Sequence, residues 1–166
     1  MTDGDRAWCV LHTRPRQEKS IARDLLDRQV PFYLPLIARR NRVRGRVLTA
    51  HIPLFTSYVF VLASEAERIR ALATRRVVRS IAVDSQDLLW RDLRQIQRLI
   101  AIGAPITPED KLAPGMEVEI QSGPLTGLRG KILRTASGQR FVVQVDFIQR
   151  GASVELDDFT LTMARS

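Results

Sequence analysis

Few residues of this 166-residue chain could make or break bonds. The one cysteine, Cys9, stands three residues from His12, and the pair has the composition of a nucleophile with its base. On a strand, residues three apart point to opposite faces, so these two do not meet. Cys9 reads instead as a small core residue, and His51, near Pro53 in a loop, has no evident partner. Two histidines and one cysteine cannot close a zinc site of the usual N/S type. The stretch "SGPLTG" at 122–127 carries glycines but lacks the Gly-Lys-Ser/Thr ending of a phosphate-cradling loop. Asp157 and Asp158 are adjacent in a terminal strand and read as solvated. The expectation is a binding protein with no catalytic residues, metal or cofactor. A nuclease, the enzyme a basic chain most invites, would need a metal-binding carboxylate cluster that the sequence does not offer.

The chemistry that is present is cationic. Residues 1–106 hold 19 Lys+Arg against 10 Asp+Glu, whereas 107–166 hold 7 against 8. Nearly all the cations are arginine, which forks onto phosphates and stacks on bases better than lysine does. A basic excess confined to one half points to nucleic acid through that half; the plain alternative is a solubilising surface. The densest run is "ARRNRVRGR", with Arg39, Arg40, Arg42, Arg44 and Arg46 around Gly45. On a hairpin it would form a positive projection for upstream duplex DNA or emerging RNA, through salt-sensitive phosphate contacts.

These groups need a scaffold. "WCVLH" at 8–12 reads as a strand and 15–29 as a helix, with Ile21, Ala22, Leu25 and Leu26 on one side and Pro31 beyond its end. An extended stretch, the basic hairpin and a further strand follow. Ser64 and Glu67 have capping-box spacing at the start of a short helix. "VVRSIAV" is strand-like, and Leu89, Leu93, Ile96 and Ile100 stripe a helix over about 86–102 that Gly103 is placed to end. The order β-α-β-β-α-β-α predicts an α+β sandwich, helices packed on an antiparallel sheet. Composition then shifts. "GAPITPEDKLAPG" is rich in proline and glycine and reads as a linker. Beyond it, Met116, Val118 and Ile120 alternate with polar residues, and Phe141, Val143, Val145 and Phe147 are expected on one face. Glycines at 115, 123, 127, 130, 138 and 151 punctuate a small, tightly turned β-barrel. The expected domains are 1–103, a linker at 104–113, and 114–166.

One strand is apolar on both sides. In "PLFTSYVFV", 53–61, Leu54, Tyr58 and Phe60 alternate with Phe55, Val59 and Val61. A surface strand normally keeps one face polar. The expected division puts Val59 and Val61, with Phe55, in the domain's own core, and Tyr58 and Phe60 towards a partner.

"WCVLHTRPRQEKSIARDLL", "PLFTSYVFV" and "ATRRVVRSI", in that order and spacing, resemble the N-terminal domain of the NusG/Spt5 family. "APGMEVEIQSGPLTGLRGKIL" is similar to that family's KOW motif, and "VDFIQRGASVELDDFTL" to the last strands of its SH3-like barrel. A single cysteine fits a reducing compartment, the cytoplasm by default, and no run of about 18 apolar residues is present to span a membrane. The resemblance implies a transcription elongation factor, expected as a monomer. It implies an N-terminal domain that binds the clamp helices of bacterial RNA polymerase's largest subunit and suppresses pausing. Carried over by position, the clamp contact falls on Phe55, Tyr58 and Phe60, with Trp8 on the neighbouring strand; Phe55 is as open to a core role as to a contact, and Trp8 reads as core before contact. In specialised RfaH-like members a basic patch reads the non-template DNA strand, which places Arg14, Gln17, Thr74 and Arg75 here. Those members' polar motif against the second large subunit falls near Glu67, Arg68 and Ile69, which depart from it. The KOW domain recruits Rho or ribosomal protein S10, and its contact maps to Phe147, Ile148, Gln149 and Arg150. The chain looks closer to the specialised, antiterminating branch. The rival reading is a KOW-containing RNA-binding or ribosome-associated protein, which leaves the two-faced strand unexplained.

Overall fold

The computed structural model describes residues 5–156 and the backbone of 163–165. Asp157 and Asp158 lie outside the described residues. The chain forms two compact units, Met1–Gln86 and Asp87–Ser166.

The first unit is built on β1 (Ala7–Thr13), β2 (Phe32–Tyr33), β5 (Tyr58–Ala63) and β6 (Val77–Ala82), ordered β2-β5-β1-β6 with every pair antiparallel. Its core packs Cys9, Leu11, Val59 and Val61 from the sheet against Ile21 and Leu25 of α1 (Glu18–Asp27) and Ala71 of α2 (Glu65–Ala73). The expected α+β sandwich is therefore present. The capping box is complete: the Glu67 N–H donates to Ser64 Oγ at 3.2 Å, and the Ser64 N–H donates to Glu67 Oε1 at 2.9 Å. Arg6 adds a forked ion pair to the same carboxylate, at 3.0 and 2.9 Å. Gln86 ties down β1, its side chain bonding both the N–H and the C=O of Trp8.

Between β2 and β5 the chain leaves the sheet as a two-stranded ribbon, β3 (Leu36–Val43) and β4 (Arg46–Pro53). Its turn is Arg44-Gly45, with φ of 52° and 78°. Two successive positive φ values are what a tight hairpin turn demands, and a glycine at the second position accepts its share without strain.

The second unit opens with most of α3 (Gln86–Ala101), whose Leu89, Leu93, Ile96 and Leu99 are buried. Gly103, at φ 77°, ends the helix as expected, its N–H reaching back to the Ile100 carbonyl. Six strands follow: β7 (Ile106–Glu109), β8 (Val118–Ile120), β9 (Arg129–Thr135), β10 (Gly138–Val145), β11 (Arg150–Glu155) and β12 (Met163–Arg165), ordered β12-β8-β9-β10-β11-β7. They make the expected small β-barrel domain around Ile120, Leu128, Phe141, Val143, Val145 and Val154. Gly130 has no room for a side chain, since a Cβ there would lie 2.2 Å from the Val142 carbonyl oxygen.

Two details differ from the sequence reading. Residues 106–109, expected within a linker, pair with β11 as an edge strand, where Pro108 is tolerated because an edge needs no second row of donors. And α3, expected with the N-terminal domain, groups with the second unit. Its side chains hydrogen-bond the barrel there: Gln95 accepts from the Arg129 N–H at 2.8 Å, Asp92 from the Asp146 N–H at 3.2 Å, and Arg98 donates to the Thr126 carbonyl at 2.6 Å.

Candidate functional site

Three surfaces of the first unit gather the residues singled out in the sequence. The ribbon carries Arg39, Arg40, Arg42, Arg44 and Arg46, all exposed. Cross-strand register puts Arg40 and Arg42 on one face, opposite Thr49 and Val47, and Arg39 and Arg46 on the other with Asn41, Val43 and Leu48. Arg44 sits in the turn. The root is fixed: Ile37 is buried, the Leu54 N–H donates to the Pro35 carbonyl at 2.9 Å, and Lys19 of α1 donates to the His51 carbonyl. The two histidines take different places. His51 lies on the ribbon, while His12 lies on β1 across the sheet from Cys9 and stacks on Tyr58 with ring centroids 5.4 Å apart. Burial and a neighbouring carboxylate outweigh Arg68 and push the Cys9 thiol up to about 11, so no thiolate is available near neutral pH.

The second surface lies where the β1–α1 and α2–β6 connections meet. Arg14 donates its Nε to the Arg75 carbonyl at 2.7 Å, and its N–H to the Arg76 carbonyl at 2.9 Å. The Gln17 N–H donates to the Arg14 carbonyl, and Thr74 closes the end of α2 on the Ala71 carbonyl. Arg14, Gln17, Thr74 and Arg75, more than fifty residues apart in sequence, are thus brought together. Arg16 and Arg76 stand beside them, both exposed, and were not singled out. The signal that could have found them is the pair of arginine-rich strand-to-helix and helix-to-strand connections, "TRPR" and "TRR".

The third surface is the sheet face opposite α1 and α2, whose centre is already covered, Val10 and Phe60 being fully buried. Register places Trp8 beside Leu62, Val10 beside Phe60 and His12 beside Tyr58, with Tyr33 and Ile81 extending the Val10–Phe60 row across all four strands. The Val10 row is apolar on all four strands, while the exposed Arg79 stands beside His12 on the same face. Trp8, Tyr58 and Leu62 are half-buried. Burial alone pushes the Tyr33 phenol up to about 12.

Two aromatic assignments need correction here. Phe60 is fully buried and Phe55 nearly so, so neither ring lies on the accessible surface. Phe55 also does not join Val59 and Val61: it meets Phe60 edge-on, 6.3 Å between centroids. The period-2 extrapolation fails because β5 begins only at Tyr58. Ser57 before it has φ 69°, and its N–H is held by the Glu18 carboxylate at 2.9 Å, so 54–57 is a turn and the alternation does not run through it.

Near α2, the residues that depart from the specialised motif have structural partners. Glu67 serves the capping box and Arg6, and Arg68 donates to Ser80 Oγ at 2.6 Å and to Glu65, while Ile69 is exposed.

In the second unit, Phe147 leaves the barrel face on which alternation placed it. β10 ends at Val145, a 3₁₀ turn spans Asp146–Ile148, and Gln149 takes φ 53°. Phe147 and Gln149 are exposed, Ile148 half-buried, and Arg150 lies 3.6 Å from Asp110. A cavity of about 230 Å³ in this unit is lined by Arg91, Arg129 and Lys131 against Asp92, Glu117 and Asp146, three cations balancing three carboxylates. Among the described residues no cluster of His, Cys, Asp or Glu could hold a metal ion, and no helix is long and apolar enough to cross a membrane.

The family model described as transcription termination factor nusG matches residues 6–104, well over half of the chain. This chain belongs to the NusG family. A solved structure, "Domain interaction in Thermotoga maritima NusG", superposes with a TM-score of 0.51, covering 92% of this chain and 94% of that one at 18% identity, and so bears on the fold. No curated protein sequence matches. The family places the chain among transcription factors that work with RNA polymerase, and the structural likeness extends the NusG fold into the second unit.

Proposed function

We propose that the chain is a transcription elongation and antitermination factor of the specialised, RfaH-like kind, acting in the cytoplasm as a monomer. The sheet face bearing Trp8, Tyr58 and Leu62 seats the polymerase clamp helices, with Phe60 and Phe55 as its packed floor. That face is the observation that carries the reading, because Trp8, Tyr58 and Leu62 leave aromatic and apolar surface part-exposed on it while α1 and α2 cover the other face. Aromatic side chains give large contact areas and suit the centre of an interface. The family match across 6–104 supports taking α3 with this functional N-terminal domain. The cluster of Arg14, Gln17, Thr74 and Arg75 contacts the non-template DNA strand, and the ribbon arginines contact nucleic acid through phosphate. The exposed turn at Phe147, Ile148, Gln149 and Arg150 is the recruiting surface for ribosomal protein S10 or Rho.

The test is retention on immobilised core RNA polymerase. The wild-type chain is retained; Trp8→Ala with Tyr58→Ala, both at half-buried positions, lowers affinity at least about tenfold with an unchanged circular dichroism spectrum. Retention of that double variant at wild-type strength overturns the seat. A wild-type chain that ignores polymerase but binds ribosomal RNA tightly turns the assignment to the ribosome-associated reading.

A further inference from the structure

We infer that the ribbon of β3 and β4 is a groove-binding arm for double-stranded B-form DNA. This rests on reading its arginines as nucleic-acid contacts and names the kind of nucleic acid.

Shape comes first. Among the described residues β3 and β4 pair only with each other, and from Arg39 to Ala50 every residue is exposed. At roughly 3.3 Å per residue, the free part of each strand runs about 15 Å beyond its root. A two-stranded ribbon fits the major groove of B-DNA, about 12 Å wide. The major groove of A-form RNA is deep and narrow and does not admit side chains in this way.

Charge comes second. Between Leu36 and Pro53 there are five arginines and no acidic residue. They stand on both faces and at the turn, so a ribbon lying between two phosphate walls meets anions on each side. A flat surface patch would need cations on one face only.

What the ribbon lacks decides the rest. Single-stranded nucleic acid is held largely by bases stacking on aromatic rings. From 36 to 53 there is no Phe, Tyr or Trp, and His51 lies near the root. Instead Val43, Val47 and Leu48 are 47–58% exposed near the tip, with Asn41 among the arginines. Apolar side chains of this size contact thymine methyls, and asparagine pairs with adenine, both in the major groove of a duplex.

Fluorescence anisotropy with the full chain tests this, using one 20-base-pair DNA duplex, its single strands, and an RNA duplex of the same sequence. The expected result is binding to the DNA duplex at least about tenfold tighter than to either alternative. Replacing all five ribbon arginines with Ser abolishes that preference and lowers the log–log salt slope by about 4, at roughly 0.9 per phosphate contact. Replacing them with Lys keeps the slope within about 1 of wild type. Equal or tighter arginine-dependent binding of single strands, or of RNA duplex, overturns the inference while leaving the ribbon a nucleic-acid contact. Duplex binding that the Ser variant retains in full overturns both.

Discussion

Glu67 shows how much one side chain can settle. It closes the capping box of α2 and receives a forked ion pair from Arg6, sixty-one residues away. The Arg6 hydrogen bond, aided by the Ser64 bonds, holds the carboxyl down at about 2, below its ordinary 4.5. Because the folded value is depressed, the stabilisation is fully present above about pH 5 and is lost as pH falls through the folded value. Glu67→Gln keeps the capping geometry, since glutamine serves a capping box, but loses the ion pair. It is expected to cost about 1–3 kcal/mol at pH 7. Urea titrations from pH 7 to pH 2 should show the gap to wild type closing below about pH 5 and vanishing near pH 2. A gap that stays constant with pH would mean that Arg6 contributes nothing. The neighbouring residues explain why the resemblance thins out here: Glu67 is occupied by Arg6, just before β1, and Arg68 by Ser80 of β6.

β5 is the element on which the functional reading turns, because both of its faces are apolar. Val59 and Val61 lie in the helical core, while Phe60, on the other face, is fully buried against Phe55, and Tyr58 is half-buried beside His12. Phe60→Ala removes a fully buried ring and is expected to destabilise the fold by about 3–5 kcal/mol. Tyr58→Ala should cost under about 1.5 kcal/mol, because its ring is only partly covered. Chemical denaturation of the two single variants measures the difference, and equal losses would remove the distinction between floor and seat. Much of this element was legible in the sequence: the two-faced pattern, the Val59–Val61 face under the helices and the Ser64–Glu67 cap all follow from periodicity and spacing. The side taken by Phe55 was not, because alternation carries no information through a turn, and the turn at Ser57 depends on a carboxylate from α1. The same limit applies at Phe147, where the strand ends at Val145 and the register stops with it. The meeting of Arg14 with Arg75 is a consequence of β1 pairing with β6, which local patterns do not specify.

At the scale of the whole molecule, the excess of positive charge follows the division into two units. Residues 1–86 carry 16 Lys+Arg against 8 Asp+Glu, and 87–166 carry 10 against 10, so the formal net charge of +8 belongs entirely to the first unit. Counterion release makes nucleic-acid affinity fall with salt in proportion to the phosphates neutralised. The salt dependence of DNA binding by the full chain should then be set by the first unit alone. Arg14→Ser with Arg75→Ser removes two cations from the clustered connections and should lower the slope by about 2. Lys111→Ser with Arg134→Ser removes two exposed cations from the second unit and should leave the slope unchanged. Both pairs take the chain from +8 to +6, so net charge alone would move the two slopes equally. A fall of the same size in the second pair would mean that the barrel shares the nucleic acid. A fall only in the first would locate electrostatic contact on the β1–α1 and α2–β6 connections at the end of the NusG-type sheet.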